Sequence, residues 1–329
     1  MFADCSNLKT FNFPMLEGIG NKGMFQNCTS LEEVHYSQFK TFGAANNNVF
    51  EGCINLKKVV VDRGFVVSSQ SFKNCEKLVG FETPEDVSGG VYYLGDEAFY
   101  NCKNLQFLNT EENEISTIGT RTFFGCEALT NLKSTSNNIG EEGLMGCTSL
   151  TDFSLSYTYS NALNIGNKAF YGCSSLKNIN IEPGGAEAAT IGEEAFEGCD
   201  NVERLVITTM DITTSYFYNH HDNINYLKVG GDTIPANCFE DWNLLTYIGL
   251  PNTNYIEENA FKDCSNVEII YAPSATIRSA NLFEGCNKLK NLNLGSLKRV
   301  TGMPFPNLSS LPIDEFYWGG ADPITIENG

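Results

Sequence analysis

Cysteine is the residue of this chain best equipped for chemistry, and eleven of its twelve cysteines recur at one position of a short pattern. They are Cys5, Cys28, Cys53, Cys75, Cys102, Cys126, Cys147, Cys173, Cys199, Cys264 and Cys286, and Cys238 stands apart. Metal binding asks for thiolates separated by two to four residues, whereas neighbours in this series are never closer than 21. Disulfides need Cα atoms within about 7 Å. Helical turns packed about 8–10 Å apart would hold successive cysteines too far from one another. What remains is a small apolar filler beneath each turn. The expectation is reduced thiols that resist alkylation until the chain unfolds.

Other reactive side chains are sparse. His220 and His221 are the only adjacent histidines, His35 is the third, and Asp222 is the carboxylate of that stretch. His221 falls in the cysteine position of its unit, where a packing role suffices. Glu141-Glu142 and Glu193-Glu194 lie in turns, as solvated faces do. There is no phosphate-binding loop and no G-x-G-x-x-G after a strand. No catalytic, metal or cofactor residues are expected, so the chain reads as a non-enzyme. An enzyme would have to build its site in the irregular region 208–242. Asn27-Cys28-Thr29 and Asn307-Leu308-Ser309 match the glycosylation sequon, but each middle residue is a core position, so both are read as coincidence.

The cysteines are placed by a repeat. Three residues before the cysteine position stand Phe2, Phe25, Phe50, Phe72, Phe99, Phe123, Leu144, Phe170, Phe196, Tyr218, Phe239, Phe261, Phe283 and Phe305. Three residues after it stand Leu8, Leu31, Leu56, Leu78, Leu105, Leu129, Leu150, Leu176, Val202, Ile224, Leu245, Val267, Leu289 and Leu311. The position itself continues as His221, Trp242 and Leu308, with steps of 21 to 27 residues. In Ala195-Phe196-Glu197-Gly198-Cys199 the spacing of three and four reads as a short helical turn. The alternation through Leu205 and Ile207 reads as a half-buried strand. One unit buries too few side chains to offset the entropy of ordering it, so units must stack. The expected fold is an α/β solenoid of about fourteen units, with a parallel sheet on one face and short helical turns on the other.

Forty acidic residues against 21 basic ones give a net charge of −19. That balance argues against a nucleic-acid partner. No apolar run approaches the ~18 residues of a spanning helix, so direct membrane insertion is not expected, and the first residues do not form a signal peptide.

Between the inward apolar residues of each strand, side chains point out from the sheet. One outward row is expected to run Asn12, His35, Val60, Glu82, Asn109, Lys133, Ser154, Asn180, Val206, Lys228, Gly249, Tyr271, Asn293 and Glu315. The row two residues earlier includes Asn131, Asp152, Asn178, Arg204, Tyr226, Tyr247, Ile269 and Asn291. Arg204, Tyr226, Tyr247, Ile269 and Tyr271 therefore cluster on adjacent strands as a candidate protein-binding patch. The competing reading is that aromatic residues favour strands and stabilise their neighbours across the sheet. The asparagines of Asn178, Asn180, Asn291 and Asn293 are read as structural.

The pattern I-G-x-x-A-F-x-x-C-x-x-L-x-x-I-x-I, cleanest at 165–181, 191–207 and 256–272, resembles the BspA-like leucine-rich repeats, and the resemblance covers essentially the whole chain. It implies a curved leucine-rich-repeat solenoid, an extracellular or cell-surface location, and a role in adhesion or host-protein binding. The expected partner is a protein or glycoprotein ligand such as host matrix, and the chain is expected to be a monomer. The units at His221 and Trp242 depart from the pattern, which puts regular curvature there in doubt. The other function open to such an array is a structural element of a larger surface assembly. Residues 1–329 read as one leucine-rich-repeat domain. The opening inside a unit at Phe2, and the unit-like opening at Ile326-Glu327-Asn328-Gly329, suggest a piece of a longer array whose secretion signal and anchor lie elsewhere, a natural cap being the alternative.

Overall fold

The computed structural model describes residues 2–12, 22–36, 47–61, 65–82, 91–108, 114–157, 162–183, 189–212, 215–277 and 282–294, and the strands at 299–301, 315–317 and 325–327. Two compact units result: Met1–Lys177 with Pro183–Asn201, and Asn178–Glu182 with Val202–Gly329.

In the first unit, β1 (Thr10–Asn12), β2 (Glu33–Tyr36), β3 (Lys58–Val61) and β4 (Gly80–Glu82) pair in parallel. Further along, β5 (Glu114–Ile115), β6 (Asn131–Ser134) and β7 (Asp152–Tyr157) do the same. In the second unit a parallel run comprises β8 (Asn178–Pro183), β9 (Arg204–Asp211), β10 (Tyr226–Gly230), β11 (Tyr247–Gly249), β12 (Ile269–Tyr271), β13 (Asn291–Asn293) and β14 (Glu315–Tyr317). The alternation of the sequence sets the faces: Leu205, Ile207, Leu227, Ile248, Ile270 and Leu292 are buried. The isoleucine that opens I-G-x-x-A forms a second set of two-residue parallel strands, at Ile139, Ile165 and Ile191 in the first unit and Ile234, Ile256 and Ile277 in the second.

The turn face corrects the expectation of helix. No α-helix occurs among the described residues, and the named helical element is the 3-10 turn Tyr216–Tyr218. Residues 166–173 show why. Lys168, Phe170 and Gly172 donate their N–H groups to Glu193, Ala195 and Glu197 of the next unit. Ala169, Tyr171 and Cys173 donate back three residues, to Gly166, Lys168 and Phe170. Left-handed backbone at Lys168 (φ 54°) and Gly172 (φ 72°) points alternate N–H groups at the neighbour, which an α-helix cannot do. The i, i+3 spacing of Phe and Cys holds in successive tight turns as it would in a helix. Both side chains are consequently buried.

The residue before the cysteine position carries a positive φ in twelve units, the His221 unit being an exception among the described residues. It is Asp4, Asn27, Gly52, Asn74, Asn101, Gly125, Gly146, Gly172, Gly198, Asp241, Asp263 or Gly285. Glycine, asparagine and aspartate are the types that tolerate this conformation.

The ladder also corrects the distance argument against disulfides. Turns joined by backbone hydrogen bonds lie closer than packed helices, and the rings of Phe50 and Phe72 stack at 5.2 Å. All twelve cysteines are nevertheless free thiols, eleven of them buried and Cys5 exposed. In-register parallel side chains stand ~4.8 Å apart, beyond the ~3.8 Å mean Cβ spacing of a disulfide. Ten of the thiols instead donate to the carbonyl at the phenylalanine position of the unit before: Cys53 to Phe25 at 3.1 Å, Cys102 to Phe72 at 3.0 Å, Cys173 to Leu144 at 3.2 Å, Cys264 to Phe239 at 2.9 Å. Cysteine serves here as a small apolar side chain with one donor. Burial pushes the thiols up, Cys147 and Cys286 to about 12.

Asparagine two residues after the cysteine position makes a similar link, Asn55 donating to the Thr29 carbonyl at 2.7 Å and Asn266 to the Asn243 carbonyl at 2.6 Å. Phe305, Leu308 and Leu311 lie outside the described residues.

Candidate functional site on the sheet face

The five patch residues occupy the outward side of four adjacent strands in the second unit. Register places Arg204 beside Tyr226, Tyr226 beside Tyr247, and Tyr247 beside Ile269. Tyr271 follows two residues after Ile269 and pairs with Gly249. All five are thus brought together. Arg204, Tyr226 and Tyr247 are half-buried, whereas Ile269 and Tyr271 are 37% and 36% exposed.

Parallel in-register strands fix how these side chains meet. The Arg204 guanidinium carbon lies 3.5 Å from the Tyr226 ring centre, a cation–π contact. On its other side Tyr226 stacks on Tyr247 with centroids 4.2 Å apart and planes 5° from parallel. Both ring faces of Tyr226 are therefore covered. Gly249 makes room for this arrangement. A Cβ there would stand 3.0 Å from Tyr247 Cε1 and 3.1 Å from its hydroxyl oxygen, so the Tyr247 ring leans along its strand across Gly249. Burial, the neighbouring Tyr226 hydroxyl and Tyr271 push the Tyr247 phenol up to about 12.

The second outward row differs from expectation at three places. Val206 is fully buried rather than presented. Lys228 on β10 bonds Glu182 on β8 at 3.1 Å, and this ion pair crosses β9 between them and covers Val206. Asn293 pairs with Tyr317, not with Glu315, which lies beside Asn291. The chain between β13 and β14 is two residues longer relative to the sheet than even spacing implies. Lys133 pairs with Glu114, while Asn109 lies outside the described residues. Asn178 and Asn180 neighbour Arg204 and Val206, while Asn291 and Asn293 lie on β13, so the four do not form one ladder.

Outside the patch, His221 stacks flat on Trp242 at 4.0 Å, so aromatic rings fill the cysteine position in these two units. Glu142 is not merely solvated: it binds Arg121 at 2.6 Å, and Glu194 pairs with Lys168 at 3.4 Å. Phe107, absent from the expected outward rows, is 37% exposed in the first unit. Its ring lies against Gly80, where a Cβ would meet it at 2.6 Å. The signal was present, because Phe107 is two residues after Leu105, as Tyr226 is two after Ile224.

Comparison with known proteins decides the family. The model for the BspA type leucine rich repeat region matches in six copies, over residues 1–106, 66–163, 92–225 and 232–316. The chain belongs to the BspA-type leucine-rich repeat family. No curated protein matches it significantly. Among solved structures, this BspA-type chain is similar to a leucine-rich repeat protein from Bacteroides ovatus, at 16% identity and TM-score 0.35, over 97% of this chain and 92% of that one. A leucine rich cell surface protein from Faecalibacterium prausnitzii matches at 16% identity and TM-score 0.37, over 98% and 89%. A leucine-rich repeat protein from Leptospira interrogans matches at 13% identity and TM-score 0.40, over 87% and 86%. The assignment to the BspA-type family rests on the family model, and its fold is a leucine-rich repeat solenoid of stacked parallel strands.

Proposed function

We propose that this chain is a non-enzymatic protein-binding module, displayed at a cell surface or secreted, that adheres to a protein or glycoprotein through the sheet face of its second unit. The observation that carries the reading is the cluster of Arg204, Tyr226 and Tyr247 in one stack with exposed Ile269 and Tyr271 alongside. Arginine and tyrosine dominate the binding energy of protein interfaces. An exposed isoleucine beside an exposed tyrosine is an apolar surface suited to cover by a partner. The array is read as about fourteen units forming one monomeric leucine-rich-repeat domain over residues 1–329.

A purely structural role is favoured by one feature of the same cluster, since a flat Tyr226–Tyr247 stack stabilises two neighbouring strands without any ligand. The two readings separate in one experiment. Extracellular matrix proteins and surface glycoproteins are offered to the wild type and to the Tyr226→Ala, Tyr247→Ala, Tyr271→Ala triple variant. A partner held by the wild type and lost by a variant of unchanged circular dichroism supports binding. Equal capture by both excludes this face, and a variant that only loses stability supports the structural role.

A further inference from the structure

We infer that the Arg204–Tyr226–Tyr247 strip reads a carboxylate, and that its occupant is an aspartate or glutamate side chain of a partner protein flanked by an apolar residue that seats on Ile269. The inference rests on the sheet-face reading above and narrows it to a chemistry.

Three observations lead there. The first is an unspent charge. In a chain of net charge −19, no carboxylate lies within 4.0 Å of Arg204 among the described residues, whereas Lys228 on the neighbouring strand is already held by Glu182 at 3.1 Å. The guanidinium is oriented by Tyr226 through its face, which leaves its in-plane N–H groups for a ligand. A planar fork held in this way suits the two oxygens of a carboxylate.

The second is the covered ring faces. A sugar ring packs against an open aromatic face, and Tyr226 has none, with Arg204 on one side and Tyr247 on the other. What Tyr226 can present is its ring edge and its phenol hydroxyl. Aromatic edges carry the positive end of the ring quadrupole, and protonated phenols donate hydrogen bonds. The strip is therefore a local donor surface.

The third is its surroundings. Exposed Ile269 and Tyr271 continue the strip away from Arg204. A densely charged polyanionic glycan would offer them nothing apolar and would meet the repulsion of the −19 chain. A protein surface carrying one acid beside an apolar side chain satisfies both halves of the strip. The long-range repulsion it meets is small and screened within about 8 Å at physiological salt.

The test is a selection of displayed random peptides on the full chain, followed by affinity measurements on synthetic peptides. Enriched peptides are expected to carry an aspartate or glutamate next to a large apolar residue. Arg204→Gln, and acid-to-amide replacement in the peptide, should each weaken binding by about tenfold or more, as charge-assisted hydrogen bonds do. Combining the two should cost little beyond either alone. Peptides whose binding ignores Arg204→Gln, or no enrichment at all, would overturn the carboxylate assignment. A heparin oligosaccharide that binds through Arg204 more tightly than any peptide would overturn the choice of a protein partner. The sheet-face reading fails separately, when enriched peptides bind the triple tyrosine variant as well as the wild type. Thermal midpoints of all variants, compared with the wild type, exclude loss of folding as the cause.

Discussion

Arg204 lies with its guanidinium carbon 3.5 Å from the centre of the Tyr226 ring, and one strand register sets both this contact and the stacking of Tyr226 on Tyr247. In parallel sheets without slippage, identical positions of successive units become neighbours ~4.8 Å apart. Flat side chains at such positions have little choice but to stack.

That stack should be visible in a titration. The Tyr247 phenol is pushed up to about 12 from an ordinary value near 10, so ultraviolet absorbance should show one tyrosine ionising well after the exposed ones. Tyr226→Phe removes the neighbouring hydroxyl and should bring that step down. The raised value also has a consequence for stability. The unfolded phenol ionises first as pH rises past 10, so stability contributed by Tyr247 is complete below pH 10 and is lost between 10 and about 12. A late phenol step that Tyr226→Phe leaves in place would refute the coupling.

Thiol reagents should find one cysteine. Cys5 is exposed and the other eleven are buried, each of those with a resolved shift having its thiol raised above the usual range by its environment, so the reactive thiolate is scarce. A colorimetric count should return about one fast thiol in the native chain and twelve in denaturant. Several fast thiols in the native state would contradict the packing described. Cys102→Ala should destabilise by about 1 kcal/mol or somewhat more, because it removes the donor to the Phe72 carbonyl and leaves a small void.

The positive-φ position makes a test of backbone strain free of packing. Gly172 has φ 72°, and a Cβ there would meet nothing within 4 Å. Gly172→Val should lower the urea midpoint by an amount worth about 1–2 kcal/mol, and Gly172→Asn by clearly less. Equal losses would mean that conformation is not the reason for glycine.

Acid should weaken the first unit through Glu97. Burial raises its pKa, but hydrogen bonds from Lys73 and Gln70 outweigh that and hold the carboxyl below its ordinary range. A depressed carboxylate stabilises above its unfolded value of about 4.3, and that contribution is lost as pH falls through the folded value. Glu97→Gln should therefore cost stability at pH 7 and cost little at pH 2–3. A pH-independent loss would assign Glu97 a packing role instead.

The repeat, the strand alternation and the patch were all legible in the chain. Leu205 and Ile207 had to face inward if Arg204 and Val206 faced outward, and counting two residues past Ile224 and Leu245 found Tyr226 and Tyr247. The same counting failed at Asn293, whose neighbour is Tyr317, because loop length relative to the sheet is invisible to a pattern anchored on the turn. It also passed over Phe107.

What the sequence determined by itself is periodicity: which residues share a position, and hence which become neighbours once the units stack. What only the tertiary structure decided is how backbone and charge are spent between units. Nothing in the side chains of Glu142 or Lys168 announces a left-handed backbone, since in both it is adopted so that the N–H group can reach the next turn. Nothing in Val206 announces burial, which comes from an ion pair between the strands on either side of it. Both are interactions between units. A local pattern records what each unit contains, and the energy that selects these conformations exists only when the neighbour is in place.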